Sequence, residues 1–277
     1  MTQLTRRALF AGALATPLIA SAGLAAPTAG GPLQITSDRS TSRFIWEPAK
    51  PRGVVLLSTG HGSWPERYDP IAQVLMAAGL AVIAPLHVDS VRHPDREKFD
   101  PQAGFIARLA DMKAVSGEAA QRWPGQPVAA VGHSFGTLIG LCLGGALAYM
   151  APLRDPSVRA VLGWSSPGKI PGLIAPPAYA GLQVPAMVIT GDQDVVPGFV
   201  TDWRDHLFPI ESSPAGGKYA VTFAGAAHDL VGGQPKPAYD AGLRYSVAFL
   251  EAQLFGSAEA KAIIDTAAGP GETWLRR

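Results

Sequence analysis

The chain has 277 residues, 47% of them hydrophobic, and its 23 Lys and Arg against 22 Asp and Glu leave a formal net charge of +1. No run of one sign breaks that balance, which argues against a nucleic-acid interface or an electrostatic grip on an anionic membrane, since both need clustered cations. The only cysteine, Cys142, excludes an internal disulfide and, set among apolar residues, reads as a small buried hydrophobe.

Residues 1–26 hold Arg6 and Arg7, no acid, and then an uncharged Ala/Gly/Leu run, the layout of an export signal. Thr5-Arg6-Arg7-Ala8-Leu9-Phe10 resembles a twin-arginine signal, and small residues at Ala20 and Ala22, or at Gly23 and Ala25, offer cleavage sites. The run is interrupted by Pro17 and is mostly Ala, Gly and Thr, so a removed signal is expected rather than a stable membrane anchor. Use of an export machinery, a periplasmic or secreted location, and a single domain over residues 27–277 follow as expectations, the length being suited to one large core.

After the Pro/Gly-rich lead, Leu33 to Trp46 mixes β-branched and aromatic with polar residues and predicts one or two edge strands. Val54 to Leu57 is a continuous apolar run, the mark of a buried parallel strand. Ile71 to Ala78 has helical spacing and stops at Gly79; Leu80 to Ala84 is again a strand, ended by Pro85. Leu86 to Pro101 reads as a polar loop, Gln102 to Trp123 as a long amphipathic helix, and Val128 to Met150 as a short strand followed by an apolar helix.

Val158 to Leu162 and Ala186 to Thr190 are two further buried strands. The segment between them carries prolines at 167, 171, 176, 177 and 185 and is too short for an independent helical lid, so an open site is expected. Gly198 to Phe208 predicts a helix stopped by Pro209, Tyr219 to Phe223 a last strand, Tyr239 to Leu254 a closing helix, and Glu259 to Thr266 a short helix before a Pro/Gly tail. Alternating strands and helices predict an α/β fold, a mostly parallel sheet covered on both faces with its functional groups beyond the carboxyl ends of the strands.

At Gly132-His133-Ser134-Phe135-Gly136 a serine stands at a sharp strand-to-helix turn, the setting of a nucleophile elbow. Only very small side chains fit two residues before and after such a serine. A serine hydroxyl needs a positioned base oriented by a carboxylate. The acid candidates are Asp192 and Asp194 in Gly191-Asp192-Gln193-Asp194-Val195-Val196-Pro197. The base candidate is His228 in Gly225-Ala226-Ala227-His228-Asp229-Leu230. Each loop follows a strand.

The order Ser, Asp, His and the spacing of these loops resemble the α/β-hydrolase superfamily along nearly all of the chain after the signal. The resemblance implies an α/β-hydrolase fold without a large lid and selects Asp194 as the acid, three residues after the loop glycine. It implies His228 as the base, with Asp229 left as a solvated or structural acid. Oxyanion donors are then the Phe135 backbone N–H, after the nucleophile, and the Ser63 backbone N–H, because His61-Gly62-Ser63 resembles the family's H-G-x element. His61 and His133 occupy motif positions and are expected to make structural hydrogen bonds.

Ala84-Pro85-Leu86-His87 and Arg108-Leu109-Ala110-Asp111 resemble the dienelactone-hydrolase-like and platelet-activating-factor-acetylhydrolase-like branch, although a dienelactone hydrolase would carry cysteine at Ser134. Trp64, Phe135, Trp164, Val195 and Leu230 are the expected apolar pocket lining. His87, Asp89 and His93 lack the rigid spacing of a metal site such as H-E-x-x-H, and His206 reads as a surface residue. No phosphate loop or dinucleotide fingerprint occurs, so neither metal nor cofactor is expected.

The expected activity is hydrolysis of small or polymeric carboxylic esters through an acyl-enzyme. Polyester depolymerisation, amide or perhydrolytic chemistry on the same triad, and a non-catalytic binding protein on the same fold are the alternatives.

Overall fold

The protein is described from a computed structural model covering residues 28–277; the expected export signal lies outside the described residues. β1 (Thr28–Gln34) pairs antiparallel with β2 (Ser40–Trp46), and β2 pairs antiparallel with β4 (Leu80–Pro85). β3 (Gly53–Ser58), β4 and β5 (Val128–His133) are buried at every position. Their unbroken apolar character reflects a parallel sheet with both faces covered. With β6 (Val158–Trp164), β7 (Ala186–Gln193), β8 (Lys218–Ala227) and β9 (Glu272–Arg276), the sheet runs β1-β2-β4-β3-β5-β6-β7-β8-β9, with β4 to β8 parallel and β9 antiparallel to β8.

Alternation along the strands divides the core into two layers. Val55, Leu57, Val131, Leu162 and Ile189 face α1 (Asp69–Ala77), α5 (Lys236–Phe255) and α6 (Ala258–Thr266). Val54, Leu56, Ala130, Val161 and Val188 face α2 (Pro101–Arg122) and α3 (Phe135–Leu143). Each fully buried Val, Leu or Ile contributes roughly 1.5–3 kcal/mol. The Asp100 side chain caps α2 by accepting from Ala103 N–H at 2.8 Å, and Pro101 occupies a first-turn position where its missing donor costs nothing. Among the described residues no helix is long and apolar enough to cross a membrane.

The segment between β6 and β7 holds one helical turn, Pro176–Tyr179, and packs Ala178, Tyr179 and Leu182 into the core rather than forming a lid. Four boundaries differ from those read in the sequence. α3 stops at Leu143 instead of Met150, because Gly145 turns the backbone to φ 115° and the Ala146 N–H closes back on the Leu141 carbonyl at 2.9 Å. The helix expected over 198–208 is a turn at Trp203–Leu207, and Pro209 begins rather than ends a helix, α4 (Phe208–Ser212), at a position suited to proline. α5 starts at Lys236, with Pro237 in its first turn. The C-terminal tail supplies β9, whose Trp274 ring meets Tyr245 of α5 edge-on at 4.8 Å.

Candidate active site

Ser134 lies between β5 and α3 with φ 53° and ψ −120°, a left-handed backbone that costs a non-glycine residue of order 1–3 kcal/mol and persists only where its surroundings enforce it. Here they do. The Ser134 N–H donates to the Trp164 carbonyl at 2.8 Å. A Cβ on Gly132 would stand 2.3 Å from the Gly136 carbonyl carbon, and one on Gly136 would stand 2.0 Å from the Ser58 carbonyl oxygen. Glycine at both positions is therefore required by close backbone approach, and the serine hydroxyl is held out at the end of β5.

Two later strands bring the remaining groups to that hydroxyl. His228, immediately after β8, places Nε2 3.0 Å from Ser134 Oγ and Nδ1 2.8 Å from Asp194 Oδ1. Asp194, just beyond β7, is fully buried, and its Oδ2 accepts from Thr190 Oγ1 at 2.8 Å. Burial alone would raise the Asp194 pKa, but hydrogen bonds from His206 and His228 outweigh it and hold the carboxyl far below its ordinary value. With Nδ1 donating to a carboxylate, His228 Nε2 is free to accept the serine proton. The rejected Asp192 instead accepts from Gly225 N–H at 2.8 Å, bracing the loop before His228, and Asp229 is exposed and paired with Arg67.

The sequence model of the serine aminopeptidase S33 family matches residues 49–163, which span β3 to β6 and include the elbow. A dienelactone hydrolase from Anabaena variabilis superposes with TM-score 0.61 at 19% identity, covering 83% of this chain and 100% of its own. A Thermogutta terrifontis esterase with propionate bound gives 0.60 at 16% identity, covering 82% and 94%. A cold-adapted esterase from an Arctic intertidal metagenomic library gives 0.57 at 18%, covering 80% and 91%. No match is found among curated protein sequences. The chain has the α/β-hydrolase fold.

The bonding of the loop after β3 corrects one expectation. The Ser63 N–H is not free: it donates to the Gly60 carbonyl at 3.1 Å. Gly60 N–H donates to Tyr68 Oη at 2.9 Å and Gly62 N–H to Asp89 Oδ2 at 2.9 Å. Among the described residues, none accepts from the His61 N–H, nor from that of Phe135 at the first position of α3, where a helix leaves its donors unpaired. The His61 and Phe135 N–H groups are thus unengaged donors flanking the elbow.

A buried cation braces this loop. Arg108, fully buried on α2, donates from Nη1 to Thr59 O at 2.6 Å, from Nη2 to Gly60 O at 2.9 Å, and from Nε and Nη2 to Asp89 at 2.7 and 2.8 Å. Its guanidinium also lies 4.8 Å from the centre of the Phe135 ring. His61 Nδ1 approaches Asp89 at 3.0 Å. Burial would raise the Asp89 pKa, yet His61 and Arg108 keep it ionised.

His133 joins this loop to the base. Its Nε2 faces the His228 carbonyl at 3.1 Å and must carry the proton, so Nδ1 accepts from Tyr68 Oη at 2.9 Å. Burial first, and the nearby His228 second, push its pKa down to about 3.

Of the expected pocket residues, Trp164 and Leu230 are not lining. Both are buried in the layer facing α5, with the Trp164 ring 5.9 Å from that of Tyr239. Strand alternation points the Trp164 side chain away from the elbow, and only its carbonyl serves the site. Trp64 is half-buried under the Arg92 guanidinium at 4.3 Å, and Val195 is exposed beside Asp194.

His87, Asp89 and His93 are not brought together as a ligand set. His87 bonds Ser58 and Asp111, Asp89 holds Arg108, and His93 Nδ1 accepts from Asp95 N–H at 3.1 Å. Asp194, His206 and His228 have potential ligand atoms within 4.8 Å of one another, joined here by hydrogen bonds.

His206 is the largest departure from the sequence reading: expected at the surface, it is fully buried with Nε2 3.0 Å from Asp194 Oδ1. Its turn, Trp203–Leu207, shows no periodicity that marks an inward face. The charged pair Arg204-Asp205 just before it reads as solvent-exposed.

Proposed function

We propose that this protein is an exported serine hydrolase of carboxylic esters. The observation that carries the reading is the unbroken relay from Ser134 Oγ through His228 to Asp194, at 3.0 and 2.8 Å. Ser134 Oγ attacks the ester carbonyl while His228 Nε2 takes its proton, and the oxyanion forms against the His61 and Phe135 N–H groups. Collapse expels the alcohol, which receives the proton from His228. A water then repeats the sequence on the acyl-enzyme and releases the acid. Asp194 holds His228 in the tautomer that each transfer requires.

An ester substrate fits a relay without a lid over it, and the fold is shared with structures described as esterases. A small or polymeric ester can reach His228, whose side chain is 28% exposed. Export is supported by the twin-arginine-like pattern of residues 1–26. The test is the purified Ser134→Ala protein against a chain-length series of acyl esters with one insoluble polyester. Turnover equal to that of the wild type overturns the reading, and a sharp short-chain optimum without polymer hydrolysis limits it to small esters. Covalent labelling of Ser134 by an organophosphonate requires an activated hydroxyl, so its absence points to a binding protein.

A second reading is hydrolysis of amides, favoured by the match to a family described as serine aminopeptidases. A matched ester and anilide pair separates the two, since comparable rates on both favour the amide.

A further inference from the structure

Asp194 serves two imidazoles, and the second has no part in the relay just described. His206 presents Nδ1 to the Ser166 carbonyl and Nε2 to both the Asp194 carbonyl, at 2.9 Å, and Asp194 Oδ1, at 3.0 Å. All three partners are acceptors only. A neutral imidazole carries one N–H and one lone pair, so either tautomer would aim a ring lone pair at an oxygen lone pair inside the core. An unsatisfied contact of that kind is costly where water cannot enter. Only the doubly protonated ring satisfies every partner.

We propose that His206 is a positioning residue of the same site, held as a buried imidazolium that clamps the side chain and backbone of Asp194 and makes the site sensitive to alkaline pH. It rests on the reading of Asp194 as the acid of the relay. The clamp joins three loops: Ser166 follows β6, Asp194 follows β7, and His206 lies on the turn before α4. The His206 ring also stacks on that of His228, with centroids 6.2 Å apart and planes inclined by 25°. Asp194 Oδ1 thus receives both imidazoles while Thr190 fills Oδ2, so the carboxylate has one orientation open to it.

The charges facing His206 support this state. Asp194 is the buried anion against the ring, and on its own turn Arg204 pairs with Asp202 while Asp205 pairs with Lys169 from the segment after β6. From the loop after β8 the facing group is His228, and His133 behind it stays neutral. Burial pulls the His206 pKa down, but the hydrogen bond and charge of Asp194, then the carbonyls of Ser166 and Asp194, raise it above the ordinary value. A raised folded-state pKa means that the contribution is complete below about 6.5, the unfolded value, and is lost as pH climbs through the folded value.

The direct test is nitrogen-15 NMR of the wild-type ring. Both nitrogens of His206 are expected to carry protons at pH 7, with loss of one only at higher pH; a single protonated nitrogen at pH 7 overturns the proposal. The second test is His206→Gln assayed on 4-nitrophenyl acetate. We expect kcat to fall about 10- to 100-fold with KM within about twofold, the signature of a misplaced catalytic group. The alkaline loss of activity in the wild type, tracking the NMR titration, is expected to be absent from the variant. Wild-type kcat with an unchanged pH profile overturns the proposal. Where the variant does not fold, the wild-type spectrum decides. Turnover surviving in Ser134→Ala would instead overturn the esterase reading while leaving the protonation state of His206 standing.

Discussion

The described residues contain two Ser–His–Asp chains with nearly the same dimensions. In one, Ser134 Oγ, His228 and Asp194 are linked at 3.0 and 2.8 Å. In the other, Ser58 Oγ meets His87 Nε2 at 3.0 Å, and His87 Nδ1 meets Asp111 Oδ2 at 2.8 Å. Yet the His87 side chain is 0% exposed against 28% for His228, and Ser58 ends a regular strand whereas Ser134 sits at φ 53°. Asp111 is also neutralised by Arg39 at 2.6 Å.

Under the proposed function, hydrogen-bond distances alone do not tell the two chains apart. What separates the two is a strained turn that lifts one hydroxyl out of the sheet and an approach by which substrate can reach it. The inner chain ties together β3, the loop after β4 and α2 at the start of the loop after β3.

The largest effect expected to divide them is chemical. Ser134→Ala should lower kcat by about 10⁴- to 10⁶-fold on esters, whereas Ser58→Ala should keep turnover within about tenfold and cost about 1–3 kcal/mol of stability, for His87 Nε2 loses its donor. Comparable turnover losses in the two variants would dissolve the distinction. The acids repeat the contrast: Asp194→Asn should cost about 10⁴-fold in kcat by setting the wrong tautomer, while Asp111→Asn should register in denaturant unfolding at about 3 kcal/mol by leaving Arg39 unpaired.

The two regions touch at Gly136, whose added Cβ would stand 2.0 Å from the Ser58 carbonyl oxygen. Gly136→Ala should therefore damage both, costing roughly 1–3 kcal/mol from overpacking and lowering kcat, and melting temperature and turnover measured together would show it. The smallest effect is on pH. Burial, then the Arg108 charge, lowers the His87 pKa, and burial, then His228, takes His133 to about 3. Folded values below the unfolded value leave stability intact above about pH 6.5 and erode it as pH falls toward 3, so a melting series should decline on acidification and decline less in His133→Asn. A flat series would refute the neutral state of both rings.

The nucleophile turn was legible because every part of it is local. Gly132, Ser134 and Gly136 are read off five residues, and an apolar strand before and a helix after are periodic signals. The buried strands β3 to β7 were equally plain, as both-faces-covered runs need no partner to be recognised. β9 was not, since it is five residues following Gly269-Pro270-Gly271, and its pairing depends on β8 alongside. Trp164 misled for the opposite reason: it follows the right strand, but its parity along β6 sends the ring to α5.

By itself, then, the sequence determined the α/β architecture, the turn that carries Ser134, and the order of loops in which an acid and a histidine follow. Those features depend on composition and periodicity within about ten residues. The tertiary structure decided which N–H groups around the site are unengaged, which of two Ser–His–Asp chains opens to solvent, and that His206 stands beside Asp194. Each of these depends on distances between residues far apart in the chain, 34 positions for Asp194 and His228 and 94 for Ser134 and His228, and no local pattern encodes how closely separate strands bring their loops together.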